Sequence, residues 1–405
     1  MHKVIVIGGG PAGMMAAYIS SSNGNAVTLI EKNEKLGKKL YITGKGRCNL
    51  TNRISEQNFL NNVVTNGKFL YGAINSFSPN DTVSFFEERG LKLKTERGNR
   101  VFPLSDKSSD VIKTLSRALE NENVTILLNT TVKNLIIENG KTVGVETEKE
   151  KLYSDSVIIC TGGLSYSQTG STGDGYNFSK NCGHTVVSLK PSLVGIELYG
   201  NDFKEMQGLS LKNVSVRFYR KDKILYEDFG EMLFTHYGVS GPIILSASCI
   251  LNKYELSDTN ISIDLKPALN EKMLNDRLLR EFSSANKNIS TVMRTLVPST
   301  MIEKMLDRIN VRTDKRCNEI TKRERESLVK ILKNLEFTVK ALRPIEEAIV
   351  TSGGVSVKEI NPKTMESKII RGLYFAGEII DVDAFTGGFN IQIAFSTGFV
   401  AGKNA

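Results

Sequence analysis

Four consecutive apolar residues, Val4-Ile5-Val6-Ile7, run into Gly8-Gly9-Gly10-Pro11-Ala12-Gly13, and a second apolar run over 26–30 stops at an acid, Glu31. Unbroken apolar runs of this length predict strands of a parallel sheet, buried on both faces. The segment between them predicts a helix, so the first 31 residues read as strand, helix, strand. Helical spacing recurs over 79–90, where Val83, Phe85 and Phe86 are apolar and Gly90 ends the turn, and over 106–121 through Val111, Ile112, Leu115 and Leu119. A short hairpin is expected over 91–103, a strand over 124–128, and a meander over 132–149 turning at Asn139-Gly140. A buried strand over 156–160 leads into Thr161-Gly162-Gly163.

From about Pro191 the pattern changes. Residues 193–198, 214–219, 224–229 and 261–265 alternate apolar and polar, as antiparallel strands with one buried face do. Helical period returns over 266–306, with a break at Pro298. From Leu342 the α/β character resumes: a strand over 347–351 before Gly353-Gly354, then Leu373-Tyr374-Phe375-Ala376-Gly377-Glu378, then a helix after Gly387-Gly388. The expected organisation is one α/β domain from residues 1–190 and 345–405. It is interrupted by a β-rich domain (191–265 and 316–344) and a helical subdomain (266–315).

The glycine spacing carries chemistry. Gly8 permits the tight turn out of the strand, Gly10 lets a pyrophosphate approach the backbone, and Gly13 lets the helix sit close. Pro11 and Ala12 open that helix, whose free N–H groups and positive dipole end face the phosphates. Glu31 stands where an acid accepts the ribose hydroxyls of an adenosine, with Lys32 beside it. Thr161-Gly162-Gly163 and Gly377-Glu378 would be further strand ends on the same carboxyl edge. An NAD site needs the first fingerprint alone, whereas an extended FAD also needs contacts from late in the chain. Glu378 can hold ribityl hydroxyls, and the helix opened by Gly387, Gly388, Phe389, Asn390 and Ile391 can direct N–H groups at the flavin ring. Val132 completes the candidate cofactor set. Gly170, Gly173 and Gly175 do not repeat the fingerprint, so either NAD(P)H docks transiently as electron donor, or electrons come from an organic substrate and go to oxygen.

Composition narrows the class. The 405 residues, 40% hydrophobic and 24% charged, suit a soluble protein of two or three domains. The uncharged N-terminal stretch contains three consecutive glycines, Pro11 and a polar run over 20–25, unlike a signal peptide. No run of 18 apolar residues is present, so no membrane span is expected. Five scattered cysteines (Cys48, Cys160, Cys182, Cys249, Cys317) suit a cytoplasmic location and argue against a metal site, a disulfide framework or a dithiol relay. The net charge is +9, and residues 266–343 hold 18 Lys/Arg against 10 Asp/Glu. Acids interleave with these bases and few aromatics accompany them. A solvated helical face is therefore the preferred reading, and nucleic acid is not an expected partner.

Four blocks together resemble bacterial flavoproteins of the aminoacetone oxidase / 3-dehydro-bile acid delta-4,6-reductase family. They are the opening fingerprint; Thr43-Gly44-Lys45-Gly46-Arg47-Cys48-Asn49-Leu50-Thr51-Asn52; Leu233 to Pro242; and Phe375 to Glu378 with Gly387 to Asn390. The resemblance implies non-covalent FAD in a glutathione-reductase-like, Rossmann-type domain, with an inserted antiparallel β-barrel and a helical subdomain. It places Gly44, Lys45, Arg47, Cys48 and Asn49, with Gly46 among them, along the FAD. Lys45 and Arg47 would bring positive charge to a pyrophosphate or a reduced flavin. Cys48, with no partner cysteine, reads as a small buried filler ahead of a redox thiol. His236 and Tyr237 are candidates for proton transfer, a hydrogen-bonded structural role being the alternative.

The functional expectation is an FAD-dependent oxidoreductase moving a hydride between flavin and a small organic substrate. Two reactions fit: C=C reduction with NAD(P)H, or amine or alcohol oxidation with oxygen. The alternatives are a flavin-containing RNA-modifying protein using the basic 266–343 region, and a non-catalytic flavin-binding redox sensor. Substrate, electron donor and oligomeric state stay open.

Overall fold

Five parallel strands form the central sheet: β1 (Lys3–Ile7), β2 (Ala26–Ile30), β3 (Thr125–Leu127), β4 (Ser156–Ile159) and β5 (Leu373–Phe375). Their order is β5-β4-β1-β2-β3, with every neighbouring pair parallel. The computed structural model describes residues 1–283 and 287–405. It divides into two units, residues 1–192 with 344–405 and residues 193–343. In the first unit β1 and β4 are buried almost throughout, as their unbroken apolar runs require.

Two helices, α1 (Pro11–Ser22) and α2 (Phe389–Asn404), pack against each other in this unit. Their backbones meet. A Cβ on Gly398 or Gly402 of α2 would overlap the carbonyl oxygens of Ala12 and Ala16 of α1. Smaller sheets surround this core. Thr51–Asn52 joins the 93–103 hairpin, 132–153 forms the meander, Val186–Ser192 pairs with Val350–Val355, and Asp383–Ala384 pairs with Val63–Thr65.

The second unit is a closed barrel of six strands. Its order is Ile196–Leu198, Gly238–Ser240, Lys223–Thr235, Ser210–Arg220, Thr259–Asp264 and Leu335–Leu342. Antiparallel pairing of Ile196 with Leu342 closes the ring. Strict alternation, as in Thr259–Asp264, fills the interior with Ile261 and Ile263. Closure leaves no free sheet edge.

Several sequence expectations shift. The stretch 316–344 holds a 12-residue helix, Lys322–Lys333, as well as its strand. A Thr321–Glu324 capping box starts that helix, and Leu328, Val329, Ile331 and Leu332 bury one face. Likewise Pro242–Leu251 is helical inside the stretch read as β-rich. The expected 266–306 helix is three helices, 271–283, 289–293 and 299–308, and its residues 284–286 lie outside the described residues. The strand expected over 347–351 runs Val350–Val355, through both glycines. The helix expected from Asp106 begins at Ser108, because Asp106 is left-handed (φ 57°) and faces Arg47 and Lys94. Leu193 is left-handed too (φ 57°), so its strand begins at Ile196. No helix among the described residues is long and apolar enough to cross a membrane.

Candidate cofactor site at the carboxyl ends of the parallel strands

β1, β4 and β5 lie side by side and point the same way, so Gly8 to Gly13, Thr161 to Gly163 and Gly377-Glu378 emerge from one sheet edge. This is where ligands of open α/β sheets bind. Gly8 has φ 104°, and a Cβ there would stand 2.5 Å from the Cys160 carbonyl oxygen. A Cβ on Gly13 would overlap the Gly8 carbonyl oxygen, so strand and helix meet backbone to backbone. At Gly10 a Cβ would meet nothing within 4 Å. Pro11 and Ala12 start α1, whose first turn carries neither a capping side chain nor an acid. Its N–H groups are thus available to an anion.

Glu31 is held at the end of β2. One carboxylate oxygen accepts the Gly9 N–H at 2.7 Å, and the other accepts the Asn33 N–H (2.8 Å) and Asn33 Nδ2 (2.6 Å). The oxygen that accepts the Gly9 N–H keeps one further lone pair for a hydroxyl donor. The Thr130 N–H bonds the Glu31 carbonyl, which brings Val132, two residues on, into the same corner. Lys32 turns to Asp174 (2.6 Å) and Thr172.

The Thr43–Asn52 segment is contorted. Gly44, Lys45, Gly46 and Cys48 all have positive φ, a strained state for the lysine and the cysteine. Lys45 is exposed. The Arg47 guanidinium stacks on Phe102 (4.2 Å) and bonds Asp106 (2.8 Å) and Glu96. That contact with Glu96, then Asp106, raises the Arg47 pKa, while Lys94 and Arg47 hold Asp106 below its usual range. The charge expected of Arg47 at a pyrophosphate is therefore compensated by two acids. Burial pushes the Cys48 thiol up to about 12.

The same segment packs on the start of α2. Asn52 Nδ2 bridges the carbonyls of Gly98 and Gly387, both at 3.0 Å. A Cβ on Gly388 (φ 97°) would stand 2.5 Å from the Thr51 carbonyl oxygen and 2.9 Å from Asn49 Oδ1. Here Asn49 Oδ1, Thr51 Oγ1 and Asn52 Oδ1 are buried polar atoms without a hydrogen-bond partner among the described residues. Thr161 Oγ1 is another, at the end of β4. Such atoms are costly unless a ligand meets them. Phe389 packs edge-on against Phe59, the Asn390 amide is spent on the Ala384 backbone, and Ile391 is half-buried. α2 also opens with no capping side chain and no acid.

Gly377 (φ 78°) packs on Ala12 of α1, and its N–H reaches Thr397 of α2 at 2.9 Å. Glu378 is engaged from three sides: by Lys39 Nζ (2.7 Å), the Ser165 hydroxyl (3.0 Å) and the Thr351 N–H (2.8 Å). A Cβ on Gly163 would stand 2.7 Å from the Glu378 carboxylate. Lys39, Ser165, Thr351 and Asn33 were not among the sequence candidates, since single residues of these types carry no spacing signal. His236 and Tyr237 belong to the barrel unit, between strands 223–235 and 238–240. There Arg343 stacks on the Tyr237 ring (4.7 Å) and His236 is exposed.

A family model described as the HI0933-like protein Rossmann domain matches residues 2–404. The chain belongs to that family. The protein is an FAD-dependent oxidoreductase. It is 29% identical over 410 residues to the 3-dehydro-bile acid delta(4,6)-reductase of Clostridium scindens, covering 100% of this chain and 99% of the relative. It is 29% identical over 402 residues to the ribosomal RNA dihydrouridine synthase of Haemophilus influenzae, covering 98% and 96%. Its fold matches the 3-ketosteroid delta1-dehydrogenase of Sterolibacterium denitrificans with a TM-score of 0.53, at 12% identity and 99% coverage of each chain.

The site suits FAD. The turn at Gly8, Gly10 and Gly13 leaves room for a pyrophosphate, the Glu31 carboxylate would face its ribose, and orphaned polar atoms gather where α2 begins. Among the described residues no cluster of His, Cys, Asp and Glu could hold a metal ion.

Proposed function

We propose that the protein is an FAD-dependent reductase of a carbon–carbon double bond conjugated to a carbonyl, acting on a small organic molecule. The observation that carries this reading is full-length likeness to two relatives whose names describe the same kind of change. A delta(4,6)-reductase of a 3-dehydro compound saturates double bonds conjugated to a ketone. Dihydrouridine is uridine with its ring double bond, also conjugated to a carbonyl, saturated. Bound FAD supplies the hydride, drawn from NAD(P)H. The chain's part is to hold and tune. Glu31 takes the adenosine ribose, the start of α1 takes the pyrophosphate, and the start of α2 offers N–H groups to the ring's carbonyl edge, where negative charge develops on reduction. A proton delivered to the neighbouring carbon completes saturation.

The test is anaerobic. NADH or NADPH is expected to bleach the flavin, and 3-oxochol-4-en-24-oic acid, a conjugated steroid enone, to restore its colour with loss of the alkene. A reduced flavin that ignores conjugated enones yet is reoxidised by air in turnover with an amine or alcohol rejects the proposal.

A second reading is uridine reduction in ribosomal RNA. The name of the H. influenzae relative and the surplus of 18 bases over 10 acids in 266–343 favour it. It requires RNA binding that weakens steeply with salt. Absence of a gel shift with ribosomal RNA at low salt removes it.

A further inference from the structure

Arg47, whose charge is compensated by Glu96 and Asp106, leaves open which cation serves the cofactor. The answer lies at the end of β5. Three separate segments of the first unit converge on one carboxylate, that of Glu378. Lys39 Nζ stands 2.7 Å from one oxygen, and the Ser165 hydroxyl (3.0 Å) and the Thr351 N–H (2.8 Å) donate to the other. The cluster is closed on itself. Lys39 Nζ also donates to Ser165 Oγ at 2.6 Å, and Thr351 Oγ1 accepts the N–H groups of Leu164 (2.8 Å) and Ser165 (3.2 Å). Both charged side chains are only 20% exposed. Gly163, next to the cluster, has no room for a Cβ because Thr351 and Glu378 fill the space.

We propose that Lys39 is a positioning residue for FAD. It fixes the Glu378 carboxylate at the sheet edge and supplies the positive charge that balances it beside the bound flavin. This rests on the reading that FAD lies across the ends of β1, β4 and β5. Two consequences follow from electrostatics. Without Lys39 the Glu378 carboxylate is held by neutral donors alone, and its geometry relaxes. The site also gains one uncompensated negative charge, which opposes the charge that builds on a flavin as it is reduced.

The experiment uses the full chain without substrate. FAD affinity is measured by titrating the apoprotein with FAD and following flavin fluorescence. The midpoint potential of the bound flavin is measured separately by dye equilibration. Lys39→Met is expected to bind FAD about tenfold more weakly or worse, the equivalent of one charge-assisted hydrogen bond, and to lower the midpoint potential. Lys39→Arg keeps the charge and restores most of both. Ser165→Ala weakens FAD less and leaves the potential near that of the unaltered protein.

Lys39→Met with unchanged affinity and unchanged potential overturns the proposal. So does a loss of affinity matched by an equal loss in Lys39→Arg and a drop in apoprotein melting temperature, which marks a purely structural lysine. If Lys39→Met does not fold, Ser165→Ala with unaltered FAD affinity overturns it, and weakened affinity with a normal melting temperature supports it. No enone or RNA enters the measurement, so its failure is distinct from failure of the proposed reaction.

Discussion

At Cys48 the side chain is fully enclosed and the backbone is left-handed, φ 58°. A thiol pushed up to about 12 by burial is not a nucleophile near neutral pH. Cys160, Cys249 and Cys317 are buried as well, and Cys182 is half-buried. A thiol-reactive dye at about pH 8 should therefore label Cys182 in the native protein and reach the other four only after denaturation. Glu31 is the residue that spacing alone singles out, because an acid ending the second strand of such a unit has few other duties. Glu31→Ala should lower FAD affinity by about tenfold or more, read by flavin fluorescence, since its oxygens are the fixed acceptors at the ribose position. His184 gives a pH effect. Its Nε2 pairs with Ser367 (2.8 Å) and its ring lies edge-on to Phe375 of β5, while Glu359 is the charged neighbour that opposes the burial effect. Burial lowers its pKa below the ordinary imidazole value, so the folded protein disfavours the protonated ring. Its contribution is complete above that ordinary value and is lost as pH falls through it toward the folded-state value. Chemical-denaturation midpoints should fall from about pH 8 to about pH 5.5, and fall less in His184→Gln.

At the scale of elements, α1 and α2 touch through Gly398 and Gly402 with no side chain between them. Gly402→Val must push the helices apart, at a cost of about 1–3 kcal/mol or more. It also moves both helix starts relative to the sheet edge. Loss of melting temperature together with loss of FAD affinity is the expected outcome, and an unaltered FAD titration would contradict it. The helices and buried strands were legible because each buries a continuous stripe or run whose period survives in the chain. The 322–333 helix was hidden by charge: its first six residues, Lys322 to Ser327, hold no apolar residue, and the buried face appears only from Leu328. The two-residue ladder of Asp383–Ala384 with Val63–Thr65 left no pattern at all, because two residues have no period. The Lys39, Ser165 and Thr351 cluster was illegible for a related reason. Lys39 lies 126 residues from Ser165 and 339 from Glu378, and convergence rather than spacing defines the cluster.

Across the whole molecule, every strand of the barrel and the core it encloses comes from residues 193–343. That segment, expressed alone, should be folded by circular dichroism and colourless with added FAD. Residues 1–192 alone lack β5 and α2 and should not retain FAD on a desalting column. Unbroken apolar runs give way to alternation near Pro191, and the second unit begins at Leu193. Strand order was not legible, since pairing β4 with β5 joins Val157 to Leu373 across the whole insertion.

That pairing dictates when the protein can mature. A ribosome making this chain releases β1 and its glycine turn first, but the sheet edge beside β4 waits until residues 373–375 emerge, and the helix that locks α1 waits for 389–404. On the proposed reading of this edge as the FAD site, cofactor loading comes late in biogenesis, and a premature stop between β5 and residue 389 leaves the clasp without α2, however well the barrel has already formed.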